Sequence, residues 1–171
     1  MSVQKTNKDR KPGLPLPRRG NEGEALQIRF HNSTAEVSRM TTEELRSNFL
    51  IESVMQADEL KLVYTHYDRM IIGGVMPVNK TIALPTYAPL KSKFFLERRE
   101  IGIINVGGDG EIKVNGKAFD LRKLDCLYVG KGSEKITFKS KKKDNPAKFY
   151  LLSAPAHHTY ATKLMKKEKA S

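Results

Sequence analysis

The sequence predicts a mainly β chain, an antiparallel barrel or sandwich with one short helix near its start. Three observations point there. Short runs rich in Ile, Val, Phe and Tyr recur from Leu60 to Pro155, the composition of half-buried strands. Between them stand the turn signals GGDG at 107–110, Asn115-Gly116 and Gly130-Lys131-Gly132, which call for positive φ or a tight reversal. These turns fall roughly eight to ten residues from one strand run to the next, as in an antiparallel sandwich or barrel.

Taken in order, residues 1–24 combine six Lys/Arg and three acids with Pro12, Pro15 and Pro17. Such a composition buries too little apolar surface to order itself and reads as a disordered basic, Pro-rich leader. Its LPLP stretch could alternatively serve as a polyproline ligand. Thr41 with Glu44 three residues on fits a capping box, and Leu45, Phe49 and Leu50 share a face, so one helix is expected from Thr42 to about Leu50. Strands then follow in LKLVYTHYDRMIIGGVMPV, KTIALP, FFLERR, IGIINVGG, EIKVNG, LDCLYVG, KITFK and AKFYLLSAP. Gly73-Gly74 interrupts an apolar run, the mark of a bulge or a close backbone approach. After Pro155 no further core element is expected, so a single domain over 25–162 ends in a basic tail, 163–171.

The 31 Lys/Arg against 19 Asp/Glu leave a net charge of +12, which raises the question of nucleic acid. The two ends carry half of that excess, and the densest internal cluster, Lys139 to Lys148, contains Asn-Pro and reads as a solvated loop or hairpin tip. No RRM, KH, helix-turn-helix or zinc-finger spacing accompanies it, so nucleic-acid binding is the outlying alternative. A lone cysteine, Cys126, excludes an internal disulfide and reads as a small buried hydrophobe. No segment approaches the length of a membrane span and the start lacks a secretory apolar region, so the expected compartment is the cytoplasm.

Glu100 followed by six residues and Gly107 has the spacing of the end of the first cupin motif. On that alignment the two motif histidines fall on Phe94 and Leu96, and the histidine of the second motif falls on Lys135. A lone carboxylate such as Glu100 does not hold a divalent transition metal against water, so no metal site is expected in this chain. The segments TTEELRSNFLIE, VYTHYDRMIIGGVMP, KFFLERREIGIINVGGDGEIKVNGKAFDLRKLDCLYVGKG and NPAKFYLLSAPAHHTYATK carry a more specific likeness. Over about Gln27 to Lys163 the chain resembles the amino-terminal half of the 5-keto-4-deoxyuronate isomerase family. The resemblance implies a cupin-like jelly roll, a two-cupin chain with its zinc in the second cupin, a hexameric assembly, and isomerisation of a uronate-type sugar acid from pectin or related polyuronides. It also implies that the present chain is inactive alone; a non-catalytic, sugar-acid-binding or scaffolding cupin is the rival reading.

That reaction moves a proton between carbons through an enediol and so needs a base near neutral pKa, a group to hold the oxyanion, and a cation for the carboxylate. The base candidates are His66, Glu97, Glu100 and His157. An arginine fork matches a carboxylate bidentately, which makes Arg69, Arg98 and Arg99 the candidates for the sugar acid. Strand alternation would put Arg98 with Glu100 and Glu97 with Arg99, and His66 beside Asp68. Internal Glu/Arg pairing and a polar pair at the core edge are the structural alternatives. Tyr160 joins His157 in a segment that could equally be an ordered linker, and Lys131 reads as a solvated turn residue.

Overall fold

A computed structural model describes residues 26–170; the basic leader expected over 1–24 lies outside them. The chain builds two β-sheets that face each other across one core. The strands are β1 (Gln27–Arg29), β2 (Leu60–Thr65), β3 (Ile71–Val75), β4 (Ile82–Ala83), β5 (Arg99–Asn105), β6 (Gly110–Val114), β7 (Lys117–Leu121), β8 (Cys126–Val129), β9 (Ile136–Ser140), β10 (Phe149–Pro155) and β11 (Lys163–Met165). Seven form the larger sheet in the order β1-β2-β3-β10-β5-β8-β11, and four form the smaller in the order β4-β9-β6-β7. Every pairing is antiparallel except β1 with β2. The mainly β, two-layered architecture is the one expected.

Period-two alternation decides what faces the core. Along β5, Arg99, Ile101, Ile103 and Asn105 are buried while Glu100, Gly102 and Ile104 face outward. Phe149, Leu151 and Ser153 of β10 do the same. Ile112, Phe138 and Leu121 answer from the smaller sheet, and the rings of Phe138 and Phe149 meet across the gap at 5.6 Å. Asn115 and Gly116 join β6 to β7 with both φ values positive, as the Asn-Gly signal requires.

Gly73 and Gly74 make a close approach within a regular strand. A Cβ on Gly73 would lie 1.9 Å from the Lys61 carbonyl oxygen, and one on Gly74 would lie 2.8 Å from the Met55 sulfur and the Val54 carbonyl oxygen. Glycine is needed here for space and not for φ.

The structure departs from the expected elements in five places. A second helix, α1 (Thr34–Val37), precedes the expected one, α2 (Thr42–Phe49); each opens on a capping box, Ser33 with Glu36 and Thr41 with Glu44. FFLERR is no strand: residues 93–98 turn, with Glu97 N–H on the Phe94 carbonyl, and Phe95 and Leu96 both drop into the core. KAFDL pairs as β7. The segment after Pro155 does return to the core layer, because β11 pairs with β8 and Lys166 binds the buried Asp125. The Lys139–Lys148 cluster includes the end of β9, and its remainder carries the chain from the smaller sheet into β10 of the larger one.

Candidate functional site

The residues singled out for chemistry gather at one end of the larger sheet, where β2 ends, β3 and β5 begin, and β10 runs out at Pro155. They divide between its two faces. Arg99 points inward and is only 7% exposed. Its Nε donates to Ser153 Oγ at 3.1 Å, and its Nη2 donates to the carbonyls of Ser153 at 2.9 Å and Arg69 at 2.7 Å. The Ser153 hydroxyl passes on a bond to the Glu100 carbonyl at 2.7 Å. The guanidinium carbon lies 5.9 Å from the centroid of the Tyr64 ring. Burial pulls the Arg99 pKa down, Tyr64 opposes that, and the charge of Arg69 adds to it.

Arg69 occupies the β2–β3 turn. Both central residues, Asp68 at φ 50° and Arg69 at φ 54°, are left-handed, the backbone of a type I′ turn built without glycine. That geometry costs on the order of 1 kcal/mol for each such residue. The bonds from Met70 N–H to the Tyr67 carbonyl, from Thr65 N–H to the Met70 carbonyl, and from Arg99 to the Arg69 carbonyl hold it in place.

The remaining candidates are spent elsewhere. His66 lies beyond the end of β2, so alternation does not pair it with Asp68; its ring stacks on Phe30 at 4.6 Å and meets Tyr64 edge-on at 5.2 Å. Glu97 and Arg98 lie in the 93–98 turn, so alternation does not apply to them either. Glu97 accepts the Lys93 N–H at 2.6 Å, and Arg98 donates to the Lys91 carbonyl at 2.5 Å and the Leu90 carbonyl at 3.3 Å. Glu100 faces outward and accepts the Tyr128 hydroxyl at 2.7 Å. Desolvation, then the bond and charge of Glu100, with Tyr160 adding to them, push the Tyr128 pKa up to about 12. His157 is exposed in a bend after β10, and Tyr160 packs edge-on to His158.

No hydrogen bond joins any two of His66, Glu97, Glu100 and His157. Among the described residues no three His, Cys, Asp or Glu side chains come together as a group able to hold a metal ion. Leu96, one of the histidine places of the motif, is sealed in the core, and the Glu100 carboxylate faces the other way toward Tyr128. The donor set therefore does not fit zinc, and no chemical step in this chain is routed through one. Cys126 is half-buried on the outward side of β8, and burial raises its pKa, the reverse of an activated thiol.

Sequence reasoning passed over Tyr64, Ser153, Tyr128 and Arg29. Tyr64 and Ser153 carried a signal, a polar group in an apolar strand at a core-facing position. Arg29 carried none; its Nε and Nη1 are buried without an acceptor among the described residues, and desolvation lowers its pKa.

Comparisons bear on the whole of this arrangement. The family model described as the KduI/IolB family matches residues 49–171. A 4-deoxy-L-threo-5-hexosulose-uronate ketol-isomerase of Formosa agariphila is 49% identical over 145 residues, 85% of this chain and 52% of that protein. Its namesakes from Halalkalibacterium halodurans and Lachnospira eligens are each 46% identical, over 85% and 84% of this chain and 52% and 51% of theirs. The chain thus spans about half the length of the curated relatives it matches. Among solved structures, the cupin domain of Schizosaccharomyces pombe Cnp3 overlays at TM-score 0.38 with 15% identity, over 51% of this chain and 55% of that one, a likeness that carries no argument by itself. With a model match that takes in β2 through β11 and relatives near half identity across both sheets, the chain belongs to the KduI/IolB family.

Proposed function

We propose that this chain is one part of a ketol-isomerase that converts 5-dehydro-4-deoxy-D-glucuronate to 3-deoxy-D-glycero-2,5-hexodiulosonate in the breakdown of pectin or related polyuronides. By itself it is inactive. The relatives' printed name supports the reaction class, and the observation that carries the second claim is that His66, Glu97 and Glu100 are each already engaged by other groups. Proton transfer between neighbouring carbons needs a base and an oxyanion-holding group within hydrogen-bond reach of one substrate. Here the His66 ring is packed against Phe30 and Tyr64, the Glu97 carboxylate closes its own turn, and the Glu100 carboxylate is held by Tyr128 on the outer face. What the chain does offer is a cationic end, Arg99 beside Arg69, suited to orienting a carboxylate while the reacting carbons meet groups from elsewhere. The electrophile, the zinc site and the homo-oligomer implied by the resemblance belong to the same proposal and call on residues outside this half, acting in the cytoplasm.

The purified 171-residue chain is expected to give no conversion of the ketouronate when product is followed by NMR, with or without added zinc. Turnover at a rate near that of the longer relatives would overturn the claim of inactivity. A non-catalytic sugar-acid-binding role is the second reading, favoured by the same arginine pair, and it predicts binding without turnover.

A further inference from the structure

The outer faces of the two sheets are built from opposite kinds of side chain. On the smaller sheet the outward positions of β6 and β9 are Glu111, Lys113, Thr137 and Lys139, the polar surface expected where an antiparallel sheet meets water. On the larger sheet they are largely apolar. Ile104 of β5 stands between Tyr150 of β10 and Cys126 of β8, and Cys126 stands beside Met165 of β11, so one row crosses four strands. Leu152, opposite Gly102, lies one step along, and Val106 and Leu124 continue the patch past the ends of β5 and β8. Ile104, Leu152, Met165, Val106 and Leu124 are all exposed, and a contiguous apolar patch of that kind marks a contact surface. Leu124 adds a second cost, since it is held at φ 70°, a left-handed backbone that a bulky side chain rarely adopts. The chain itself covers one part of this face, at β3, where Val54 and Met55 lie over Gly74.

We propose that the bare part of this face is the contact surface between two copies of the chain, packed sheet against sheet about a two-fold axis that runs across the strands. Such an axis sets the strands of one copy antiparallel to those of the other. The charge at the margins fits that arrangement. Glu100 lies at the start of β5, and Lys148 lies at the opposite end of the patch, where its carbonyl receives the Val106 N–H. Neither belongs to any of the five ion pairs among the described residues. The axis brings Glu100 of each copy toward Lys148 of the other, so complementary charge fixes the register of the apolar contact. Four strands about 4.8 Å apart and about 20 Å long give a footprint on the order of 400 Å². That is small for a permanent interface, so the dimer is reversible and depends on concentration. The proposal rests on the homo-oligomer of the reading above and names its surface; it does not depend on the reaction.

Sedimentation equilibrium on the full 171-residue chain over a concentration series tests it. The parent is expected to pass from monomer to dimer. Ile104→Lys and Leu152→Glu, both outside the core, are each expected to raise the dimer dissociation constant roughly 30-fold or more, as at the centre of an interface. Circular dichroism and the melting temperature of the dissociated chain are expected to stay those of the parent in both. Glu100→Lys is expected to weaken the dimer, and Lys148→Glu added to it is expected to restore it. Dimerisation as tight in Ile104→Lys and Leu152→Glu as in the parent would overturn this surface and leave the homo-oligomer standing. Failure of Lys148→Glu to rescue Glu100→Lys would overturn the antiparallel arrangement. A parent that is monomeric at every concentration would overturn both the surface and the homo-oligomer of this chain, and would give the face to the remaining half of the relatives' length. None of these outcomes bears on the reaction class.

Discussion

At the scale of single residues, the chemistry of this end of the molecule is set by what each polar group already holds. Arg98 and Arg99 are adjacent and chemically identical, yet one is tied to exposed carbonyls and the other is carried into the core by β5. Tyr128 shows the same principle from the acid side. Burial and the Glu100 carboxylate both favour its neutral phenol, which raises its pKa to about 12. A raised pKa on an acid means that this contact stabilises the fold below the ordinary tyrosine value near 10 and is lost as pH climbs through the folded value. In a spectrophotometric titration one tyrosine should therefore ionise roughly two units above an ordinary tyrosine, and Tyr128→Phe should remove that late step. A late step that persists in Tyr128→Phe would contradict the assignment.

At the scale of elements, strand and turn signals located most of the sheet, and capping chemistry located α2. The failures came where a local pattern had to be read against distant partners. FFLERR has the residues of a strand, but two of its apolar side chains reach the core from a turn. β11 has only three residues, Lys163–Met165, and becomes a strand because β8 offers an edge and Asp125 offers a buried acceptor. Asp125 is 1% exposed and takes Lys166 Nζ at 2.9 Å, the Lys167 N–H at 3.0 Å and the Arg122 N–H at 2.8 Å. Burial would raise its pKa, but the Lys166 bond, then those of Arg122 and Lys167, outweigh it and the net shift is downward. Its contribution is accordingly present above the ordinary aspartate value and lost as pH falls through the folded one. Asp125→Ala should cost about 2 kcal/mol, since it strands part-buried donors, and should free the β11 amides to exchange. Lys166→Ala should cost less, because the ammonium is part-exposed. Equal melting temperatures for the parent and Asp125→Ala would show that β11 docks by other means.

At the scale of the whole molecule, one core between two sheets carries the stability, and the helical arm before β2 adds little, as neither helix has a buried residue. Neighbours on β10 make the point. Leu151 is 1% exposed and Leu152 is 41% exposed. Leu151→Ala should destabilise by about 3 kcal/mol through lost burial and a cavity, whereas Leu152→Ala should stay within about 0.5 kcal/mol. A denaturant series showing similar losses for both would mean that the outward face is covered in solution, as the proposed oligomer would cover it. The net charge of +12 is spread over a chain whose cationic end is one local feature, so charge alone does not designate a nucleic-acid partner. Among the described residues no helix is long and apolar enough to cross a membrane.

The sequence by itself determined the two-layered β architecture, the turns and the capped helix α2, because period-two alternation, Asn-Gly geometry and capping boxes are local and act through neighbours along the chain. It also named Arg69 and Arg99. Only the tertiary structure decided that these two share the end of one sheet while Arg98, Glu97 and Glu100 are engaged elsewhere. That outcome depends on which carbonyls and hydroxyls arrive from strands up to 54 positions away, as Ser153 does for Arg99. Such partners are chosen by packing, and packing is not written in the spacing of residues along one strand.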